Sequence, residues 1–94
     1  MRTTHQLTAI KAILHIVLEQ EAYKAYGTIG GASRVARLVS DALDNFSDME
    51  NAIVYEQNLE RADNVWAETL KILERALKKG YEVEFDTINT ISRM

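Results

Sequence analysis

The strongest constraint on this chain is the absence of proline from all 94 residues. Proline interrupts helices because it lacks an amide hydrogen and because its ring collides with the preceding turn. Three of the four glycines, moreover, lie close together, at Gly27, Gly30 and Gly31. The pattern predicts long helices on either side of one loop at residues 27–31.

The first helix is predicted over residues 4–26. Thr3 and Gln6 have the spacing of a capping box, and Gly27 suits the left-handed position that ends many helices. At about 100° per residue the helix has two apolar faces. A helix that is apolar on two sides is buried between neighbours or forms a subunit interface. The main face consists of Leu7, Ile10, Leu14, Val17, Leu18 and Ala25, and the second face of Ala9, Ala12, Ile16 and Tyr23.

The second helix is predicted over residues 33–46, with its end between Asn45 and Asp48. Its apolar residues fall within a single arc of about 140°, which is typical of a helix that covers a core with one side. These residues are Val35, Leu38, Val39, Ala42, Leu43 and Phe46.

The third helix is predicted over residues 48–79, opened by a second capping box at Ser47 and Glu50. Apolar residues keep an alternating three-four spacing through it, as in a coiled-coil seam, and we expect Trp66 on this seam to be core. An alternative divides the helix near residues 58–64, with Asp63 or Asn64 as the cap. The seam consists of Ala52, Tyr55, Leu59, Ala62, Trp66, Thr69, Leu73 and Ala76.

The segment at residues 81–85 alternates apolar and acidic residues with period two, which is typical of an extended strand. Tyr81, Val83 and Phe85 would face one way, and Glu82 and Glu84 the other. Two interpretations remain open. The segment either folds back over the ends of the helices or offers a free strand edge to a partner.

Composition excludes several classes of protein. The chain has no cysteine, which rules out disulfides and thiolate zinc sites, and it carries fourteen acidic against eleven basic residues, which disfavours nucleic acid as a partner. Its longest apolar stretch, residues 12–18, is too short for a bilayer span of about 20 residues. We therefore expect a cytoplasmic protein with no membrane partner.

Basic residues occur in two places. Lys71, Arg75, Lys78 and Lys79 form a patch late in the third helix, where cations complement the helix dipole and where an acidic partner or a phosphate could also bind. Arg34 and Arg37 lie at the start of the second helix and are the only residues that favour DNA binding.

Two acidic pairs provide an enzymatic alternative. Asp41 and Asp44, followed by Glu60 and Asp63, form a pattern that resembles the paired acids of the all-α nucleotide pyrophosphohydrolases. The resemblance implies a magnesium-dependent hydrolase, since Mg²⁺ prefers oxygen ligands. The first pair has Asp where that family has Glu. His5 and His15 are ten residues apart, too far for joint ligation of one metal in the usual manner.

The sequence thus predicts a single all-α domain, a small bundle of three long helices with a short extended C-terminal segment. The leading hypothesis is a non-enzymatic protein–protein interaction module or small regulatory or inhibitor protein that forms a homo-oligomer. It needs no cofactor and no metal. Its predicted interface residues are Ala9, Ala12, Ile16, Tyr23, Tyr81, Val83 and Phe85.

Overall fold

The computed structural model describes residues 3–25 and 33–94, and these residues form four α-helices. The predicted all-α class is confirmed, whereas the predicted number of three long helices is wrong. Among the described residues, no helix combines the length and the apolar character that crossing a bilayer requires. The helices are α1 (Thr4–Ala25), α2 (Arg34–Val54), α3 (Leu59–Leu77) and α4 (Glu82–Ser92).

Helix α1 begins with the predicted capping box. The backbone N–H of Gln6 donates to Thr3 Oγ1 at 3.2 Å, and the backbone N–H of Thr3 donates to Gln6 Oε1 at 3.0 Å. Two amide groups at the helix start are satisfied in this way. The helix is continuous to Ala25, and the predicted glycine loop with its cap at Gly27 lies outside the described residues.

Helix α2 extends eight residues beyond its predicted end at Phe46. The second capping box is therefore wrong, because Ser47 and Glu50 lie inside the helix as exposed residues. Met49 and Ala52 are fully buried and continue the apolar face beyond Phe46. Burial of these side chains outweighs a local capping signal, which contributes only about 0.5–2 kcal/mol.

Residues 55–58 separate α2 from α3, so the prediction of one helix over residues 48–79 is wrong. Gln57 has a φ angle of 52°, and the Asn58 side chain caps α3 by accepting a hydrogen bond from the Arg61 N–H at 3.0 Å. The Arg61 guanidinium lies 2.9 Å from the Glu56 carboxylate and crosses the turn. The alternative of a divided helix agrees better with the structure, although the cap is Asn58 and not Asp63 or Asn64.

The spacing of the predicted seam does not reveal this break, because the interruption spans about one helical turn. Four residues between two helices leave the three-four spacing in phase, so periodicity alone shows no change. The exposure of the seam residues does show it. Tyr55 is 80% exposed and Leu59 39% exposed, whereas Ala62, Trp66 and Leu73 are buried. The prediction that Trp66 belongs to the core is confirmed.

Helices α2 and α3 pack as an antiparallel hairpin. Phe46 and Trp66 meet edge to face at a centroid distance of 6.4 Å and an angle of 77°. One turn away, the Asn45 side-chain amide donates to Thr69 Oγ1 at 3.1 Å, and Thr69 donates to the Val65 carbonyl. The buried threonine thus carries a hydrogen bond on each side, as a polar group in a core requires.

Helix α4 occupies the segment that was predicted to be extended. The extended assignment of residues 81–85 is wrong, because Phe85 and Ile88 follow Tyr81 at four and seven residues, the spacing of one helical face. Tyr81 and Ile88 are buried and Phe85 is half-buried, whereas Val83 is 74% exposed. An alternation over only five residues fits the first turn of a helix as well as it fits a strand.

The four helices form a closed ring in which each packs against two neighbours. Helix α1 contacts α2 and α4, and α3 contacts the same two helices. Near the start of α1, the Gln6 side-chain amide closes the ring by donating to the Ile91 carbonyl at 2.8 Å and to the Met94 carbonyl at 3.0 Å. Gln6 therefore belongs both to the cap of α1 and to the contact with the end of α4.

Gly80, which connects α3 to α4, provides a test of this turn. Its φ angle is +100°, and an added Cβ would meet nothing within 4 Å. Gly80→Ala is expected to lower the free energy of unfolding by about 1–2 kcal/mol, because backbone conformation alone opposes the methyl group. Gly80→Asn should cost less, since asparagine tolerates positive φ angles. Urea denaturation in which both variants match the wild type would contradict this account.

Candidate interaction surface and buried polar cluster

The second apolar face of α1 lies on the outside of the bundle. Ile16 is 51% exposed, Tyr23 is 87% exposed, and Ala9 and Ala12 are also exposed. The opposite face of the helix is buried, because α2 and α4 pack against it. The structure therefore places these four predicted interface residues together in solvent. The buried apolar residues of α1 are Leu7, Ile10, Leu14 and Val17.

A shallow concavity lies on this face near its C-terminal end. Its volume is about 420 Å³, and its walls combine the apolar surfaces of Ile16 and Tyr23 with polar side chains. The polar residues that line it are Glu19, Gln20 and Lys24. A mixture of apolar and polar side chains is the usual composition of a protein-interaction surface.

The three C-terminal interface residues do not share a face. Tyr81 is the residue that precedes α4, and Val83 lies in the first turn of that helix. Val83 is exposed, Tyr81 is only 3% exposed, and Phe85 is half-buried against the core. The predicted common face of an extended segment is thus wrong, and of the three side chains only that of Val83 is largely open to solvent.

Glu21 is the centre of a buried polar cluster that the sequence analysis missed. Its carboxylate accepts hydrogen bonds from the Tyr81 hydroxyl, from Ser33 Oγ at 2.7 Å and from Lys24 Nζ at 3.1 Å. Ser33 also caps α2 by accepting the Ala36 N–H at 3.1 Å. One carboxylate therefore joins α1, the start of α2 and the start of α4.

Lys24 lies on the solvent side of this cluster. Its ammonium group donates to the Tyr81 hydroxyl at 3.1 Å and lies 4.8 Å from the centre of the Tyr81 ring. The arrangement combines an ion pair with a cation–π contact. Since Lys24 also lines the concavity on α1, the cluster and the exposed face share one residue.

The hydrogen bonds determine the protonation of the cluster. Burial acts to raise the pKa of Glu21, but the hydrogen bonds from Tyr81, Ser33 and Lys24 together hold this pKa below its ordinary value. Burial and the hydrogen bond to Glu21 raise the pKa of Tyr81. Glu21 is therefore a carboxylate and Tyr81 a phenol at neutral pH, which makes the tyrosine the donor between them.

The spacing of residues in the sequence does indicate that Glu21 is buried. It follows Leu14 by seven residues, so at about 100° per residue it lies in the middle of the main apolar face of α1. An acidic residue at such a position is rarely buried without partners. The position of Glu21 on the helix was readable, whereas the partners Ser33 and Tyr81 lie 12 and 60 residues away in sequence.

The residues of the enzymatic alternative lie at the surface. Asp41, Asp44 and Glu60 are exposed and Asp63 is half-buried. Across residues 3–25 and 33–94, histidine and acidic side chains form no group of three or more that could hold a metal ion. His5 and His15 are both exposed on α1.

Comparison of the chain with protein-family models, with curated proteins and with solved structures finds no match.

Substitution of Glu21 tests the buried cluster. Glu21→Gln should lower the free energy of unfolding at pH 7 by about 1–3 kcal/mol, because hydrogen bonds to a charged acceptor are replaced by weaker ones. In the wild type, the contribution of Glu21 is fully present above its ordinary pKa of 4.5 and is lost as the pH falls through the lower folded-state pKa. The variant should therefore lose less stability than the wild type between about pH 5 and pH 3.

Urea denaturation at matched protein concentration would measure both effects, with Glu68→Gln, an exposed acid on α3, as the control. Glu68→Gln should retain the acid sensitivity of the wild type. Equal acid-induced losses in the wild type and in Glu21→Gln would show that Glu21 does not supply this sensitivity.

Proposed function

We propose that this protein is a non-enzymatic protein–protein interaction module, a small regulatory protein that forms a homodimer through the outer face of α1. The observation that carries the proposal is the exposure of Ile16 and Tyr23 on a helix whose other side is already packed. Large apolar side chains grouped on a surface usually mark an interaction site.

A second copy of the chain is the partner that fits this face best. Outward residues recur on α1 with four-three spacing, the repeat by which two helices pack along a seam. A two-fold axis between residues 12 and 16 would pair Ala12 with Ile16 of the second copy, a small residue with a large one. The two-fold axis makes each contact occur twice in the interface, as in most homodimers. The spacing consists of His5, Ala9, Ala12, Ile16, Glu19 and Tyr23.

Charge and shape both favour the antiparallel arrangement. In an antiparallel pair, Glu19 lies opposite Ala9, and His5 lies opposite Tyr23. In a parallel pair, Glu19 would face its own copy, and like charges at close range are unfavourable. A parallel pair would also place Ala12 against Ala12, which leaves a gap where the antiparallel pair places Ile16.

Ile16→Glu tests the face itself. The substitution buries a charge twice in the dimer and removes two apolar contacts, so the dissociation constant should rise at least about 100-fold. Val83→Glu is the matched control, because Val83 is also an exposed aliphatic residue but lies on α4.

Light scattering should give a wild-type mass near twice the 10.7 kDa of one chain, a monomer for Ile16→Glu and a dimer for Val83→Glu. Circular dichroism should show unchanged helix content. A wild-type monomer at high concentration would refute self-association, and dissociation by Val83→Glu alone would move the contact to α4.

Single cysteines test the direction of the two helices, and the chain has no cysteine of its own to interfere. A mixture of His5→Cys and Tyr23→Cys chains should form a mixed disulfide under mild oxidation, because an antiparallel pair brings these positions together. Tyr23→Cys alone should crosslink poorly. Efficient crosslinking of Tyr23→Cys with itself would instead indicate a parallel pair.

A further inference from the structure

A cationic pocket lies where the start of α2 meets the end of α3. Its volume is about 300 Å³. Val35, Leu38 and Ala76 contribute apolar surface to it. Four basic residues line it, one from α2, one from α3 and two that directly follow α3, and they are Arg34, Arg75, Lys78 and Lys79. The fold thus unites one arginine from the start of α2 with three cations of the basic patch on α3.

These positive charges have no internal partner in the described part of the chain. The described ion pairs involve Lys24 and Arg61, and no side-chain hydrogen bond reaches the four basic residues of the pocket. Glu74 precedes Lys78 by one helical turn but does not pair with it. The chain as a whole has a net charge of −3, so the cluster runs against the overall balance.

The helix dipole accounts for only part of this cluster. Arg75 and Lys78 are at the C-terminal end of α3, where cations are stabilising. Arg34 opens α2, and the N-terminal end of a helix favours acids and disfavours cations. The first turn of α2 nevertheless contains no acidic residue. The position of Arg34 is therefore unfavourable for the isolated helix and becomes favourable when an anion occupies the pocket.

We propose that this pocket binds a small ligand that carries a phosphate group. Two guanidinium groups suit the oxygens of phosphate, because an arginine can donate two parallel hydrogen bonds to them. A phosphate ester brings up to two negative charges, more than a single carboxylate, to a site with four cations. The volume matches the lower end of small-molecule pockets, and the apolar floor suits the organic part of the ligand.

Binding of pyrophosphate, measured by calorimetry in magnesium-free buffer of constant ionic strength, tests the site. The probe variant is the pair Arg34→Gln with Arg75→Gln. The control is the pair Arg37→Gln with Lys71→Gln, which removes the same charge from the same two helices outside the pocket lining. The probe variant should bind at least about tenfold more weakly than the wild type, and the control within about twofold.

Three results would overturn the proposal. One is the absence of pyrophosphate binding to the wild type, and another is an equal loss in the two variant pairs, which would indicate general charge attraction. The third is tighter binding of a hexaglutamate peptide than of pyrophosphate, which would indicate an acidic protein partner. Circular dichroism of both variants confirms that the fold is intact, as expected for exposed residues. The test is independent of self-association, since the pocket residues lie on α2, on α3 and directly after α3, and none of them lies on α1.

Discussion

The buried carboxylate of Glu21 connects α1 to the start of α2 and to the start of α4 through hydrogen bonds. Its partners there are the N-cap of α2 and the residue that precedes α4. A buried carboxylate without partners would be strongly unfavourable, so the packing is compatible with Glu21 only when Ser33 and Tyr81 reach it together. This requirement fixes how the beginnings of α2 and α4 lie against the last turns of α1. In the described chain, every buried side-chain nitrogen or oxygen has a hydrogen-bond partner.

The same helix explains why one surface of the bundle stays open. Helix α1 has apolar residues on two sides, but the ring of four helices gives it only two neighbours, and both pack on the side that contains Glu21. The outer face with Ile16 and Tyr23 therefore has no covering element among the described helices. Lys24 lies between the two sides, since it pairs with Glu21 and also borders the outer concavity. A partner that binds at the outer face would thus lie next to the buried cluster.

The start of α2 has two neighbouring residues with opposite electrostatic roles. The Ser33 hydroxyl donates a hydrogen bond to Glu21 and accepts one from the first turn of the helix, so it lies between the carboxylate and the helix N-terminus. Arg34, the next residue, turns outward to the pocket that it shares with the end of α3. Negative charge near a helix N-terminus is stabilising, and here a residue of α1 provides it. This contribution offsets part of the unfavourable placement of Arg34.

Local patterns determined the helical class, the first turn of α1 and the two faces of that helix. These features depend on atoms within one or two turns, such as the pairing of Thr3 with Gln6. Local patterns did not predict that α2 continues past Phe46, that the chain turns at residues 55–58 or that residues 82–92 are helical. Each of these outcomes depends on side chains buried by distant segments, as Met49 and Ile88 are. Glu21 shows the same division, because its place on α1 follows from spacing alone, whereas its partners are found only when the chain has brought residues 33 and 81 to it.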